Sequence, residues 1–589
     1  MKLFISVFLF SVMILLANGQ VIKSDINPKD FSFVVLGDRT GDAQQDIFAQ
    51  IIARIELLNP DLVVNVGDLI EGYTQDIETL NAQWDEIFAN LGELKNKFFF
   101  TPGNHDAIDS ISLKIYLSRI GYDKSYYSFS VGKNHFIVLD NSRQEKVDQP
   151  DWTQVKWLNM ELSKYPKSDN IFCFIHRSFW RNGYLLNQSD TFHKLFVKYG
   201  VDYVFSGHDH FYCQQKWDGI TYTQIGPSGS RFKVYFNEAY GAFQNFALVS
   251  VKNNKVQIKV ITPDGKELDA DCVTLDEIKE LQNIEKAISI TPVGLTPIDS
   301  ISVTVNNIFD MPFNTSLTWS INNDNWEIQP LSKPIAVPAK SSITEKFYCK
   351  VKGKSIYPLP KIQLSYPYAN YKKTFNFDKR MPIKLISNCY KAKSKITIDG
   401  KIMEKAWQNI EPLDVFGSSD GDIPETDPVE IYFAYDKSNL YIAGKITDYE
   451  PNKISASVSE RDDDKIYQDD NINIILQPKI ATDTYYQFFI NPKGAVLDRV
   501  CYFDGKTSKR DKKWNSEINV KTDISTGEIF YGWTFEVALP LKQFDIIEPK
   551  TDWGFNLVRY QARNDKVSIY SVPFEHNPKT FATLQFSEK

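Results

Sequence analysis

The stretch FVVLGDRT, residues 33–40, joins an apolar run to a glycine, an aspartate and a polar turn. A short apolar run that ends at a turn signal is typical of a buried strand, and glycine at its end lets the backbone change direction sharply. The stretch therefore predicts a buried strand whose end places the Asp38 carboxylate at the edge of a sheet.

Four similar stretches follow in the first third of the chain. Apolar runs end at residues 66, 100, 175 and 205, and polar motifs follow them: Gly67-Asp68, Gly103-Asn104-His105-Asp106, His176 and Gly207-His208-Asp209-His210. Because each chemical group stands where a strand is predicted to end, we expect the groups to meet at one edge of a sheet. Carboxylate, amide oxygen and imidazole are ligands of Mn, Fe and Zn, so the stretches predict a metal site.

Histidine is rare in this chain. Of the seven histidines in 589 residues, four lie in these motifs: His105, His176, His208 and His210. His176 taken alone is equally compatible with an ordinary core histidine, whereas Gly-His-Asp-His after a strand is hard to explain by packing. We assign structural roles to the remaining three, His135, His193 and His576.

The ordered motifs resemble the calcineurin-like metallophosphoesterases over about residues 31–262. The resemblance implies an α/β four-layer sandwich that binds two divalent metal ions, Mn, Fe or Zn, and hydrolyses a phosphoester. It implies that Asp68 bridges both ions, that Asp38 and His210 hold one, and that Asn104, His176 and His208 hold the other. A hydroxide between the ions would attack phosphorus.

Residues beside these ligands have further implied or candidate roles. By the same resemblance, His105 would face the substrate as a transition-state stabiliser or general acid, and Asp106 would orient the His105 ring. Two arginines next to ligands, Arg39 and Arg177, are candidates to bind a phosphate oxygen, although each is also compatible with an ordinary ion pair.

One position departs from the family's pattern. The family commonly has a further histidine ligand two residues after the first aspartate, where this chain has Thr40. A hydroxyl is a poor ligand, so we expect the first metal site to be weak, to be completed by water or to recruit another side chain. Purple acid phosphatases, which also lack this histidine, use a tyrosine three residues after the bridging aspartate, and Glu71 stands at that offset. Glu71 is thus either a replacement ligand or a loop residue that is solvated or bound to Arg39.

The first residues favour export. Lys2, an apolar run to Ala17 and the small residues up to Gly19 predict a signal peptide at residues 1–19, cut near Gln20. The alternative is a membrane anchor, but the run is short for a bilayer, so we expect no transmembrane anchor after cleavage and a secreted, periplasmic or cell-surface protein. The net charge of −7, with both signs interspersed, gives no basic footprint for nucleic-acid docking.

Changes in sequence character predict the domain order. We expect a phosphoesterase domain at residues 20–265, a helical connector at 266–287, an immunoglobulin-like β-sandwich at 288–383 and a larger β-sandwich at 384–589. The two later domains are predicted from short alternating segments, such as 302–306 and 347–351, that Asn, Pro and Ser clusters separate.

The last domain carries a second set of motifs. Ile398-Asp399-Gly400 with Trp407, then Trp553-Gly554-Phe555-Asn556 with Arg559, resemble family 9 carbohydrate-binding modules over about residues 385–588. The resemblance implies a sandwich that binds a polysaccharide or cell-surface glycan. We expect most of its tryptophans to lie in the core, whereas Trp514, in a charged stretch, is the candidate sugar platform.

Two functions remain open from the sequence. The chain is either a secreted metal-dependent phosphoesterase whose C-terminal module holds it on glycan, or a glycan-binding or adhesion protein whose first domain has weakened catalysis, as Thr40 would allow. We favour the enzyme because the other predicted ligands are all present.

Overall fold

The computed structural model describes residues 20–22, 26–165, 169–232, 237–294, 299–353, 355–505, 507–527, 530–573 and 575–588. The predicted signal peptide, residues 1–19, lies outside these described residues. The chain divides into two compact units, residues 1–283 and 284–589. The finer domain boundaries stay predictions. Within the described residues, no helix is both long and apolar enough to span a bilayer.

The first unit mixes helices and strands. Its strands are β1 (Gln20–Ile22), β2 (Asp30–Leu36), β3 (Leu62–Asn65), β4 (Phe98–Phe99), β5 (Tyr127–Val131), β6 (Asn134–Val138), β7 (Asn170–Phe174), β8 (Tyr203–Ser206), β9 (Cys213–Trp217), β10 (Ile220–Gln224), β11 (Phe246–Lys252), β12 (Lys255–Ile261) and β13 (Glu267–Asp269). Its helices are α1 (Gln45–Leu58), α2 (Ile77–Leu91), α3 (Asn104–Ala107), α4 (Ser110–Ile120), α5 (Trp152–Leu162), α6 (Phe179–Leu186) and α7 (Thr191–Tyr199), and α8 (Leu275–Ala287) spans the boundary between the units.

Two sheets pack face to face in this unit. The first has the order β1-β5-β6-β7-β8-β10-β9 and the second the order β13-β12-β11-β2-β3-β4. Phe33 of the second sheet packs edge-on against Phe136 and Phe172 of the first, with ring centroids 5.2 and 5.1 Å apart. Burial of a phenylalanine contributes about 1.5–3 kcal/mol, so this aromatic layer is a main source of stability.

Helices cover the outer faces of both sheets. Trp84 of α2 and Ile51 of α1 are buried in a cluster with Val34 of β2, whose side chain points away from the aromatic layer. On the other side, Ser128 of β5 donates a hydrogen bond to Glu161 of α5 at 2.8 Å. The layers are helix, sheet, sheet and helix, which confirms the predicted four-layer α/β sandwich.

The second unit is built from strands. They are β14 (Ile288–Ile290), β15 (Asp299–Asn306), β16 (Phe313–Ser320), β17 (Trp326–Gln329), β18 (Ser332–Val337), β19 (Ser342–Val351), β20 (Lys361–Tyr368), β21 (Lys373–Arg380), β22 (Ile386–Lys391), β23 (Val429–Tyr435), β24 (Asn439–Thr447), β25 (Asn471–Gln477), β26 (Thr484–Ile490), β27 (Val496–Phe503), β28 (Ser508–Asp511), β29 (Asn519–Thr526), β30 (Tyr531–Pro540), β31 (Trp553–Gln561), β32 (Lys566–Ile569) and β33 (Ala582–Ser587).

These strands form the predicted β-architecture. Two four-stranded sheets, β14-β15-β19-β17 and β18-β16-β20-β21, precede a large sheet with the order β28-β27-β26-β25-β31-β33-β22-β23-β24-β30-β29. Burial alternates along β15 and β16, as expected of strands that face a core on one side. Trp407, Trp533 and Trp553 are buried, so they belong to the core as the sequence suggested.

Candidate functional site

The predicted ligands meet where the two sheets of the first unit end. Strands β2, β3 and β4 run parallel, and the loops that follow them supply Asp38, Asp68 and Asn104. Strands β7 and β8 also run parallel, and the loops after them supply the histidines His176, His208 and His210. Because parallel strands place their carboxyl ends at one edge, both sheets contribute side chains to one cleft.

Four side chains converge on one point of this cleft. Ligand atoms of Asp68, His176 and His208 all lie within 4.8 Å of one another. Nε2 of His176 is 3.2 Å from Asp68 Oδ2, 2.9 Å from Asn104 Oδ1 and 3.1 Å from His208 Nδ1. His176 Nδ1 lies 2.8 Å from the carbonyl oxygen of Val66, to which it can only donate, so Nε2 faces the group.

The charges in this group stabilise each other. Although burial lowers it, the pKa of His176 is raised to about 9 by the Asp68 carboxylate. Burial raises the pKa of Asp68, but His176 and His105 outweigh burial and hold that pKa well below its usual range. The buried Asp68 carboxylate therefore favours a positive charge beside it, and a divalent ion would supply that charge.

A second pair of ligands lies beside this group. His210 Nε2 is 3.3 Å from Asp38 Oδ2, and His210 Nδ1 donates to the carbonyl oxygen of Arg231 at 2.6 Å. Asp38 and Thr40 are buried, and Asp38 Oδ1 and Thr40 Oγ1 have no hydrogen-bond partner among the described residues. Since a buried unpaired carboxylate oxygen is costly, these donors fit a divalent cation at this position as well.

The backbone is tightly folded around these ligands. Asp68, His208 and His210 all have positive φ angles, of 58°, 78° and 56°. Such conformations cost about 1–3 kcal/mol each in a non-glycine residue and occur mainly at functional sites. A Cβ atom on Gly103 would lie 2.1 Å from Asp68 Oδ1, and one on Gly207 would lie 2.2 Å from Asp38 Oδ1, so only glycine fits there.

Asp106 has a different role from the one predicted. Its carboxylate accepts backbone N–H groups of Asp68, Leu69 and Ile70, at 2.7, 2.9 and 3.2 Å, and of Gly103, at 2.9 Å. The acceptor for the His105 ring is instead the carbonyl oxygen of Glu71, 2.6 Å from Nδ1. Asp106 thus shapes the loop that carries Asp68 and does not orient the His105 ring.

Arg39 does not reach the cleft. Its side chain is buried, donates to the carbonyl oxygen of Leu69 at 3.2 Å and pairs closely with Glu86. The ion-pair alternative therefore describes Arg39 better than phosphate binding does.

Arg177 lies at the edge of the cleft. Its Nη1 is 3.3 Å from Nε2 of His208, and Nε and Nη2 both donate to the carbonyl oxygen of Ser142, at 3.3 and 3.2 Å. The side chain of Arg177 thus contacts a predicted metal ligand, whereas Arg39 contacts Asp68 through its backbone N–H, which donates to the carbonyl oxygen of Asp68 at 3.0 Å.

The structure gives Glu71 the loop role. Its Oε1 accepts the N–H of Ala43 at 3.2 Å, and its carbonyl oxygen binds His105. Among the described residues, Glu71 is not part of any group of carboxylates, histidines and cysteines close enough to share a metal ion. Of the two alternatives, this geometry favours the loop residue over the replacement ligand.

Trp514 is not a free platform. Its side chain is half-buried, and its ring packs against Tyr486 and Phe488 of β26, with centroids 4.9 and 6.1 Å away. The indole therefore contributes to packing, which the charged sequence around it had concealed.

The opposite face of the same strands holds a polar group that sequence reasoning missed. We call Asn473, Gln487 and Arg499 the amide face. Arg499 Nε donates to Gln487 Oε1 at 2.8 Å, and Arg499 Nη1 donates to the hydroxyl of Tyr467 at 2.9 Å. The side chains alternate across a strand, so Gln487 points away from Phe488, the ring that Trp514 touches.

The amide face has unmet hydrogen-bonding capacity. Gln487 and Asn473 are buried, and Gln487 Nε2 and Asn473 Oδ1 have no partner among the described residues. This buried donor and acceptor lie on the same face of the sheet as the Arg499 guanidinium, and native structures rarely leave such groups unpaired. The available signal was polar residues inside otherwise apolar strands, as in YYQFF at residues 485–489.

Two family models match separate parts of the chain. The calcineurin-like phosphoesterase family matches residues 24–212, and the carbohydrate family 9 binding domain-like family matches residues 398–580. Purple acid phosphatase 15 of Arabidopsis thaliana is 25% identical over 235 residues, a match that covers 31% of this chain and 42% of that protein. The chain thus spans less than half the length of that relative.

Solved structures show weak similarity in both parts. A dimetal phosphatase from Danio rerio is 14% identical with a TM-score of 0.31, and the match covers 41% of this chain and 98% of that one. A candidate carbohydrate-binding protein from Bacteroides uniformis is 17% identical with a TM-score of 0.28, and the match covers 34% of this chain and 99% of that one. From the two family matches, the chain carries a calcineurin-like phosphoesterase domain followed by a family 9 carbohydrate-binding-like domain.

Proposed function

We propose that this chain is a secreted phosphoesterase that hydrolyses a phosphate mono- or diester with two divalent metal ions, and that its C-terminal domain holds it on glycan. The observation that carries the proposal is the convergence of Asp68, Asn104, His176 and His208 next to the unpaired Asp38 Oδ1. Export rests on the predicted signal peptide at residues 1–19.

We expect the donors to divide between two ions. Asn104, His176 and His208 would hold one ion, Asp38 and His210 would hold the other, and Asp68 would contribute to both. Two divalent cations bound there would supply Lewis acidity toward a phosphoester oxygen and toward water. Because Thr40 offers only a hydroxyl, the Asp38 side would bind its ion more weakly.

His105 would move a proton in this reaction. Its Nδ1 is fixed by the carbonyl oxygen of Glu71, which leaves Nε2 to face away from that loop. The backbone N–H of His105 also donates to Asp68 Oδ1 at 2.8 Å, so the ring stays next to the bridging carboxylate. Protonated His105 would donate from Nε2 to the departing oxygen, and Arg177 would hold a phosphate oxygen.

The amide face would provide the glycan contact. Its unpaired donor on Gln487 and acceptor on Asn473 are closed to solvent, so each would gain a hydrogen bond from a sugar hydroxyl when the side chains around them rearrange to admit it.

The enzymatic part is tested with the full chain loaded with Mn²⁺ or Zn²⁺. Its hydrolysis of a panel of phosphomonoesters and phosphodiesters is measured. Asp68→Asn should abolish turnover, and His105→Ala should keep bound metal but lower kcat by about 10²–10⁴. His135→Ala is the matched control, because His135 stacks on Tyr165 away from the ligands. Metal-loaded protein that is inert on every ester would instead favour the glycan-binding or adhesion function.

A further inference from the structure

We propose that Tyr73 is a positioning residue that holds the Asn104 amide and the His105 ring in the catalytic arrangement. The inference rests on the proposed function, because it concerns a metal ligand and the candidate acid of that same site. Nothing in the sequence motifs marks Tyr73, which lies five residues after Asp68.

The loop of residues 71–73 packs closely against the start of α3. The carbonyl oxygen of Glu71 accepts from His105 Nδ1. Gly72 has a φ of 57°, and a Cβ atom on it would lie 1.8 Å from the carbonyl oxygen of His105. This close approach brings the next residue, Tyr73, directly over the Asn104-His105 pair.

The phenol of Tyr73 holds the Asn104 amide. Asn104 Nδ2 donates to the Tyr73 hydroxyl at 3.0 Å, while Asn104 Oδ1 lies 2.9 Å from His176 Nε2. One end of the amide is thus fixed by the phenol, and the other end faces the metal ligands. Without the hydroxyl, the amide plane can rotate, and Oδ1 would spend less time directed at the ion.

The ring of Tyr73 holds His105. The two ring centroids are 4.6 Å apart with an angle of 86° between the planes, an edge-to-face contact. Together with the Glu71 carbonyl oxygen, this contact fixes the imidazole from two directions.

Core packing does not account for the conformation of Tyr73. The residue is 59% exposed, yet it adopts a φ of 49°, which is unfavourable for a side chain of this size. An exposed tyrosine gains little free energy from burial. We therefore attribute the unfavourable backbone conformation of Tyr73 to its contacts with Asn104 and His105.

The test separates the hydroxyl from the ring. Tyr73→Phe removes the hydrogen bond to Asn104 and keeps the ring, whereas Tyr73→Ala removes both. We expect Tyr73→Phe to weaken Mn²⁺ binding by about 10-fold, as measured by isothermal titration calorimetry, because outer-shell partners typically affect affinity by 10–100-fold. Tyr73→Ala should weaken binding similarly and also lower kcat on p-nitrophenyl phosphate at saturating Mn²⁺.

Tyr199→Phe is the matched control. It removes another tyrosine–asparagine hydrogen bond in the same unit, from Tyr199 to Asn159 Oδ1 at 2.8 Å, and should leave Mn²⁺ affinity unchanged. Wild-type Mn²⁺ affinity in Tyr73→Phe would overturn the inference while leaving the proposed function intact. Absence of Mn²⁺ binding by the wild-type chain would instead overturn the proposed function, and the inference with it. If Tyr73→Ala does not fold, the Mn²⁺ affinity of Tyr73→Phe alone tests the inference.

Discussion

The carboxylate of Asp106 accepts the backbone N–H of Asp68 at 2.7 Å, so one buried acid determines the position of another. In all, four backbone N–H groups from two separate loops donate hydrogen bonds to the Asp106 side chain. Burial, and after it the charge of Asp68, raises the pKa of Asp106 to about 6.

Asp106→Ala should therefore destabilise the first unit. It leaves four buried N–H groups without an acceptor, and each such group costs about 1–3 kcal/mol, so we expect a loss of roughly 4 kcal/mol or more in the free energy of unfolding. Urea unfolding measures this loss. Asp109→Ala, which removes the N-cap of α4, is the control and should cost only about 1 kcal/mol. Equal effects of the two changes would contradict the role given to Asp106.

Thr40→His should strengthen the first metal site. The wild-type chain is expected to keep about one tightly bound Mn²⁺ after gel filtration, because the hydroxyl of Thr40 is a poor ligand, and the variant should approach about two. Elemental analysis measures the ratio of metal to protein. Thr40→Val, which has nearly the same shape without the hydroxyl, should stay near the wild-type value. A wild-type chain with two equally tight sites would show that Thr40 does not weaken the first.

Gln487→Ala should weaken glycan binding more than Trp514→Ala does. Loss of the amide removes the unpaired donor of the amide face and should lower the affinity for a bound polysaccharide by about 5–10-fold. Trp514→Ala should mainly lower the thermal midpoint, because the indole packs on Tyr486 and Phe488. A glycan array identifies the polysaccharide and calorimetry compares the variants, with Gln585→Ala as the control. A larger loss of glycan affinity in Trp514→Ala than in Gln487→Ala would identify Trp514 as the sugar platform.

The second unit should lose stability as pH rises through neutrality. Burial raises the pKa of Glu536 from an ordinary value of 4.5 to about 7. Since the folded pKa lies above the unfolded one, the protonated acid favours folding. Its contribution is complete below about pH 4.5 and is lost as pH rises through 7, by up to about 3 kcal/mol.

Urea unfolding between pH 5 and 8, in EDTA, tests the role of Glu536. Fluorescence of Trp407, whose Nε1 donates to Glu536 Oε1 at 2.9 Å, reports on the site. Glu536→Gln cannot ionise and should flatten this pH dependence. An unchanged slope in the variant would assign the effect to other groups.

The sequence predicted those candidate site residues whose position follows from the end of a nearby strand. Asp38, Asp68, Asn104, His176, His208 and His210 each follow a strand end, and parallel pairing then brings them together without further information. The ion pair of Arg39 was an alternative from the sequence, but its partner was not predictable, because Glu86 lies 47 positions away on α2.

Two other features required three-dimensional structure for a different reason. The amide face consists of single polar residues on three strands, and only the register of those strands makes Gln487 and Arg499 neighbours. The position of the Tyr73 side chain depends on the path of an irregular loop, and hydrophobic periodicity does not predict such a path.

The ligands come from two different sheets, and this has a consequence for the lifetime of the folded protein. Ions held jointly by Asp68 of one sheet and His176 of the other would tie the layers together, so unfolding would require their release. Metal supply in the surroundings would then set resistance to proteolysis as well as turnover. A chain exported into a metal-poor medium would be degraded early, whereas one that meets its ions would persist.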